Sequence, residues 1–248
     1  MLLAVDVGNT QTVIGLYDGD RLADDWRLAT VRTRTGDELG ALLQGLLELE
    51  TVTGICLSTT VPTLAREWTR VAERWAEAPI LVVGPGVKTG IPIHYDDPRE
   101  VGPDRIVNAV AAKERYGAPV IVVDFGTSTN FDVVSPAGAY VGGVLAPGIE
   151  ISMEALFARA ARLVGVEYAE PPSAIGKTTV ASLQSGVVYG FAGQVDGIVA
   201  AIRRELGVAA PVVATGGLAG LIAPHSDAIE TVDPFLTLDG LRLVWGMS

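Results

Sequence analysis

The chain has 248 residues, 49% of them hydrophobic and 19% charged, with 29 glycines and 6% aromatics. That mix excludes intrinsic disorder and fits one large domain or two modest ones, built with tight turns rather than an aromatic-walled pocket. The net charge of −11, with no three basic residues in a row, argues against nucleic acid as the main partner but leaves room for a local site for an anionic metabolite.

Met1–Val5 is a short apolar run that ends at Asp6-Val7-Gly8-Asn9-Thr10. Thr12–Tyr17 reads as a second strand, Asp18-Gly19-Asp20 as a turn and Arg21–Leu28 as a third strand. Leu39, Leu42, Leu43, Leu46 and Leu49 share one face of a helix expected over Asp37–Leu49. Gly54–Ser58 is a buried strand. Thr63–Trp75 is a helix whose stripe of Leu64, Trp68, Val71 and Trp75 reads as core packing, and Pro79–Val83 is a strand. Pro103–Tyr116 follows as a helix with Ile106, Ala109 and Val110 inward.

The opening pattern then recurs. Val5-Asp6-Val7-Gly8 returns as Val123-Asp124-Phe125-Gly126, close to half the chain later, after the apolar run Val120–Val123. Phe131–Val134 stands where Val13–Leu16 stood, and Pro136-Ala137-Gly138 matches the first turn. Coincidence of two Asp-x-Gly turns explains this less well than duplication, because the order of elements repeats too. A strand over Ala139–Leu145, a helix over Glu150–Leu163 and a loop over Glu167–Thr178 come next. A long helix from Val180 to Leu206, a strand over Pro211–Ala214, a short helix over Leu218–Ile222 and a last helix near Pro234–Trp245 complete the chain. No low-complexity linker divides the halves. The expected domains are 1–115 and 116–248, joined through the Pro103–Tyr116 helix.

In Asp6-Val7-Gly8-Asn9-Thr10-Gln11-Thr12, Gly8 lets the backbone approach a ligand, and Asn9, Thr10 and Thr12 add short donors beside backbone N–H groups. This suits phosphate oxygens, and an Asp at a strand end can hold Mg²⁺ directly or through water. Taken singly, the segment is equally well an ordinary polar hairpin turn. Asp124-Phe125-Gly126-Thr127-Ser128-Thr129-Asn130 repeats the equipment, so two such hairpins are expected to close on a nucleotide from both sides. Thr215-Gly216-Gly217 is a third Gly turn, suited to an adenosine, although alone it is a plain strand-to-helix turn.

Other features carry no chemistry. Gly84-Pro85-Gly86 has Thr89 where a dinucleotide fingerprint needs glycine, and Gly176-Lys177-Thr178 lacks the earlier P-loop glycine, having Pro171 there. The one cysteine, Cys56, excludes an internal disulfide and reads as inert core, and two histidines, His94 and His225, are too few for a His-built zinc site. Met1–Val5 has no basic residue ahead of it and Asp6 after it, so no secretory signal is read. The longest uncharged stretch, Leu206–Ser226, is broken by glycines and prolines and is not a membrane span. A soluble cytoplasmic enzyme without a membrane partner is expected.

Gly102-Pro103-Asp104-Arg105 is the most telling segment. Pro103 suits the first position of a helix, which puts Asp104 and Arg105 in its first turn. Asp104 there complements the helix dipole, for under about 1 kcal/mol, but Arg105 is disfavoured by the same dipole. Held together, the carboxylate serves to accept a hydroxyl proton and the guanidinium to grip an anionic or carbonyl group. Tyr95, shortly upstream, adds a hydrogen bond and an apolar wall.

In these segments taken together, the chain resembles the type III pantothenate kinases, of the acetate and sugar kinase, Hsc70 and actin superfamily. The resemblance runs over essentially the whole length. It rests on Asp6–Thr10, Ser58-Thr59-Thr60-Val61-Pro62, Tyr95, Gly102–Arg105, Asp124–Thr127, Gly142-Gly143 and Pro147-Gly148. It continues through Gly176-Lys177-Thr178-Thr179, Gln184-Ser185-Gly186 and Thr215-Gly216-Gly217. Each is weak alone; the ordered set is specific. Asn130 stands where the family usually has Thr, Ser128 where it often has Ala and Thr178 where Asn is common, each small or polar.

The resemblance implies an α/β fold of two duplicated RNase H-like, actin-like ATPase domains with a nucleotide cleft between them. It implies phosphoryl transfer from MgATP to the primary hydroxyl of pantothenate, giving 4'-phosphopantothenate for coenzyme A synthesis. Asp6, Val7, Gly8, Asn9, Thr10, Gln11, Thr12 and Val13 would bind ATP with Thr127, and Asp104 would be the catalytic base. Tyr95, Gly102, Pro103, Asp104 and Arg105 would hold pantothenate, and Asp124 would bind K⁺ or NH₄⁺. Thr179 would reach pantothenate from the other subunit of a homodimer. The rival readings are another phosphotransferase of the superfamily and a non-catalytic nucleotide-sensing accessory protein.

Overall fold

In the computed structural model, which describes residues 1–160 and 165–248, the chain parts into two compact units. One takes in Met1–Ile91, Tyr95–Ala111 and Leu236–Ser248, the other Pro92–His94 and Ala112–Phe235.

In the first unit, β1 (Leu2–Val7), β2 (Gln11–Asp18) and β3 (Arg21–Ala29) form an antiparallel meander. β4 (Gly54–Thr59) and β5 (Ile80–Val82) add in parallel on the other side of β1, giving the order β3-β2-β1-β4-β5. Leu3, Val5, Val7, Ile55 and Leu57 are fully buried, as expected of central strands covered on both faces. Charged β3 stands at the edge, where charge discourages pairing with another chain.

α1 (Gly36–Gln44) starts at a capping box in which Thr35 and Glu38 exchange hydrogen bonds. It stops at Gly45, well short of the expected end at Leu49. Leu49 still reaches the core, from a separate 3₁₀ turn over Leu49–Thr51, while Leu46 is exposed. α2 (Pro62–Val71) has Pro at its start and runs into a π turn over Ala72–Ala76. Leu64, Trp68 and Val71 are buried, and the Trp75 ring lies so close over Gly40 that any Cβ there would strike it.

α3 (Pro103–Tyr116) has the bounds expected from sequence, and the division between the units falls inside it. Two segments cross the expected division at 115/116: Leu236–Ser248 groups with the first unit and Pro92–His94 with the second.

The second unit repeats the first sheet's plan. β6 (Val120–Phe125), β7 (Ser128–Val134) and β8 (Tyr140–Pro147) form the meander; β9 (Val212–Gly216) and β10 (Thr231–Val232) add in parallel. The order is β10-β9-β6-β7-β8. Two exposed residues make β10, so no apolar run announced it. The repeat slips once: Val7 pairs with Thr12, but Phe125 pairs with Thr129, so the second hairpin loop is one residue shorter. Asn130, not Phe131, therefore stands opposite Asp124 as Val13 stands opposite Asp6.

α4 (Ile149–Arg159) covers most of its expected span; residues 161–163 lie outside the described residues. α5 (Thr179–Leu206) is capped by Thr178, whose side chain accepts from the Ala181 N–H, and ends at Gly207 in the left-handed region. Its inward stripe of Ala181, Ser185, Val188, Ala192, Val195 and Val199 is buried. By length and composition α5 is apolar enough to cross a membrane. α6 (Ala219–Ile222) is a single turn. α7 (Leu236–Gly246) packs on β1 and β4, and a Cβ at Gly240 would collide with the Val107 carbonyl of α3. Tyr17 donates to Asp239 at 2.8 Å and Thr237 to Asn108 at 2.7 Å, fixing α7 to β2 and α3.

Candidate active site

The loop between β1 and β2 is a tight turn in which the Gly8 N–H donates to the Gln11 carbonyl at 3.0 Å. Asn9 and Thr10 are exposed at its tip. Arg32 donates to Asn9 Oδ1 at 2.9 Å, and the Thr12 and Thr30 hydroxyls lie 2.9 Å apart. The Thr60 N–H donates to the Val7 carbonyl, which ties the segment after β4 to the same corner. Asp6 lies between Val13 and Ser58 in the sheet register.

Gly102 precedes α3, and the N–H groups of Arg105 and Ile106 return to its carbonyl. Asp104 is in the first turn. Its Oδ1 is buried with no hydrogen-bond partner among the described residues. Burial pushes the Asp104 pKa up, against the opposing pull of the Arg105 N–H, the Arg105 charge and its own N–H. Arg105 is itself buried. The carboxylate folds back over Gly102, where a Cβ would collide with Oδ1. Gly102→Ala must turn that carboxylate away, so we expect kcat to fall at least tenfold with little change in melting temperature, and steady-state kinetics beside a thermal melt checks it. Tyr95 is exposed at 36%.

In the second unit, Asp124 is the last residue but one of β6 and lies beside Gly216, whose φ of +93° admits glycine and few other residues. A Cβ on Gly216 would sit 2.7 Å from Asp124 Oδ1. Thr215 is buried in register with Asp124. Ser128 donates to Asn130 Oδ1 at 2.6 Å, so the two positions that depart from the family pattern in this loop are bonded to each other. Gly148, just before α4, donates to the Thr127 carbonyl at 3.2 Å and packs too closely for any side chain.

Thr179 is exposed at the start of α5, and the capping hydroxyl belongs to Thr178, so Thr179 does not cap its own helix. The loop before it is strapped to α5: Ser182 donates to the Gly176 carbonyl and Ser185 to the Ala174 carbonyl at 2.6 Å. Gly176-Lys177-Thr178 is thus a helix-entry loop with no strand before it. Cys56 is fully buried and its thiol is pushed up to about 12 by burial, which makes it inert.

The Asp6–Val13 loop, Tyr95 and Gly102–Arg105 therefore lie in the first unit, and Asp124, Thr127 and Thr179 in the second. Sequence reasoning gave no role to Ser58 or Gly148, and it set Gly216 in a turn suited to an adenosine rather than beside Asp124. Glycine before a helix and a hydroxyl ending an apolar strand were the available signals. Among the described residues, no three His, Cys, Asp or Glu side chains gather as a metal site.

Solved structures share this fold over nearly the whole chain. Component A of (R)-2-hydroxyglutaryl-CoA dehydratase from Acidaminococcus fermentans matches 98% of the chain and 95% of its own at 14% identity, with a TM-score of 0.57. A ROK hexokinase from Thermus thermophilus matches 98% and 97% at 14% identity, with a TM-score of 0.50. The chain itself belongs to the type III pantothenate kinase family, whose sequence profile matches residues 2–201. Two similar relatives are the type III pantothenate kinases of Myxococcus xanthus, 55% identical over 100% of this chain and 99% of that one, and of Acidothermus cellulolyticus, 55% identical over 99% and 98%.

Proposed function

We infer that the chain catalyses the reaction for which its family is named, ATP-dependent phosphorylation of pantothenate in coenzyme A synthesis. The observation that carries the chemistry is the buried, unpartnered Oδ1 of Asp104 at a helix start beside Arg105. A carboxylate in the first turn of a helix, with an oxygen that no donor among the described residues uses, is the kind of proton acceptor that the hydroxyl of pantothenate requires. Measuring ATP turnover with and without pantothenate tests this: turnover must depend on pantothenate.

In this reading Asp104 takes the hydroxyl proton while Arg105, Gly102, Pro103 and Tyr95 orient pantothenate. The residues from Asp6 to Val13, with Thr127, hold the phosphates of ATP through backbone N–H groups and short side chains. Phosphoryl transfer asks little covalent work of a protein, so positioning and charge carry the rate. The oxygen donors around the end of β1, Asp6 with nearby hydroxyls, suit Mg²⁺, which favours one or two carboxylates plus substrate phosphates. When bound, it neutralises charge on the phosphates. An ATP-consuming enzyme of this pathway works in the cytoplasm.

Asp124 is the proposed K⁺ or NH₄⁺ ligand. Oxygens lie beside it: a Cβ on Gly216 would sit 2.5 Å from the Phe125 carbonyl and 2.7 Å from Asp124 Oδ1, and Thr215 is its register partner. Rates in K⁺ or NH₄⁺ are expected to exceed those in Na⁺, a smaller ion, severalfold. Equal rates in matched salts would remove the ion from this site.

A homodimer completes the reading. Gly186, Gly190, Gly193 and Gly197 are exposed along α5, and a Cβ at any of them would meet nothing within 4 Å. Packing within the chain therefore does not require them, and each costs helix stability of about 0.5–1 kcal/mol against Ala. A second backbone approaching closely accounts for them.

A further inference from the structure

We propose that the Ser58 hydroxyl is a positioning group for the hydrated divalent cation that accompanies ATP, acting one strand away from Asp6. Ser58 is fully buried at the end of β4, and its Oγ has no hydrogen-bond partner among the described residues. A hydroxyl kept dry and unpaired is costly, so it persists where a partner arrives with a ligand or where water fills the gap.

Register sets the direction. Ser58 pairs in parallel with Asp6, as Leu57 does with Val5. Side chains in register on neighbouring strands share a face, and successive ones alternate. Val5 and Leu57 enter the apolar core with Leu39, Leu43 and Leu64 of α1 and α2. Asp6 and Ser58 therefore share the opposite face, at the end of the sheet where the Gly8 turn begins. The adjoining hydroxyls are otherwise engaged. Thr59 Oγ1 donates to the Val61 carbonyl at 3.1 Å and accepts from its N–H at 3.0 Å, and Thr60 Oγ1 donates to the Val7 carbonyl at 3.4 Å. Ser58 alone of the three is left for something that is not protein.

The chemistry of the neighbour selects that partner. Mg²⁺ gives up its water reluctantly and is held through those waters by one or two carboxylates and by phosphate oxygens. A carboxylate and a hydroxyl side by side suit such a shell: both accept hydrogen bonds from metal-bound water, and the hydroxyl also donates. Second-shell contacts of this kind orient a metal without ligating it.

The proposal rests on the placement of the ATP phosphates at Asp6–Val13, and the test separates the two. ATP binding is measured by calorimetry with Mg²⁺ and with EDTA for the wild type, Ser58→Ala, Ser58→Cys and Asp6→Asn, beside the melting temperature of each without nucleotide. Both Ser58 variants should melt no lower than the wild type, since an unpaired buried hydroxyl is removed. Their Kd for MgATP should rise about three- to tenfold, the loss of one hydrogen bond, while metal-free ATP binds within about twofold of the wild type. An unchanged MgATP affinity, or an equal loss with and without metal, overturns the role of Ser58. If Asp6→Asn weakens MgATP binding and the Ser58 variants do not, only this proposal fails. If Asp6→Asn is also without effect, the phosphate placement fails and the proposal with it.

Discussion

Asp104→Asn lowers kcat by about 10²–10⁴, the usual range for loss of a general base, and leaves the fold intact. The amide is isosteric, so the back-folded position over Gly102 is kept and only the proton acceptor is lost. The linkage sign supports an intact fold. Burial raises the folded-state pKa of Asp104 above its ordinary value of 3.8. A carboxyl raised on folding contributes stability below its unfolded pKa and loses it as pH rises through the folded pKa. At neutral pH the ionised side chain is therefore a cost that asparagine removes, and the variant melts no lower than the wild type. The same shift sets the pH profile. A base works unprotonated, so kcat/KM rises as pH climbs through the pKa, and that limb lies above the ordinary carboxylate range. In Asp104→Asn the limb disappears. Near-normal turnover in the variant would take Asp104 out of the mechanism.

The sheets were legible because their strands are apolar runs closed by polar turns, and both hairpins carry the Asp-x-Gly mark. α3 was read to the residue, since Pro103 starts it and Gly117 follows it. Legibility failed where long-range packing decides. Leu46 continues the α1 stripe in sequence, yet Gly45 ends the helix and Leu49 enters the core by another route. α7 looked like the end of the second half, but Asp239 bonds Tyr17 and Gly240 abuts Val107, contacts that span most of the chain. Within the site, residue types were readable but environment was not. Nothing local reveals that Asp104 Oδ1 and Ser58 Oγ are buried with no hydrogen-bond partner among the described residues, or that Ser128 and Asn130 bond each other.

Mixing Asp104→Asn with Thr179→Ala subunits restores activity that neither variant has alone. The expectation follows from two facts about α5. Thr178 provides the helix cap, so the exposed Thr179 hydroxyl is not needed to start its own helix. A Cβ on any glycine of the stripe beyond it would meet nothing within 4 Å among the described residues. In the proposed homodimer, a two-fold pairing along that stripe would carry the strapped loop of each subunit toward the other. In a mixed dimer, one active site then joins a wild-type Asp104 to a wild-type Thr179 from the other chain, and the second site carries both defects. Symmetry sets the yield at up to about half of the wild-type activity per mixed dimer. Native mass spectrometry establishes subunit exchange, and the turnover assay reads the recovery. If exchange is complete and no activity returns, Thr179 serves its own subunit or none. Alanine at Gly190 and Gly193 separates the interface from the hydroxyl. It should favour the helix within each chain yet split the dimer, and activity should fall with the dimer fraction while Thr179 is untouched.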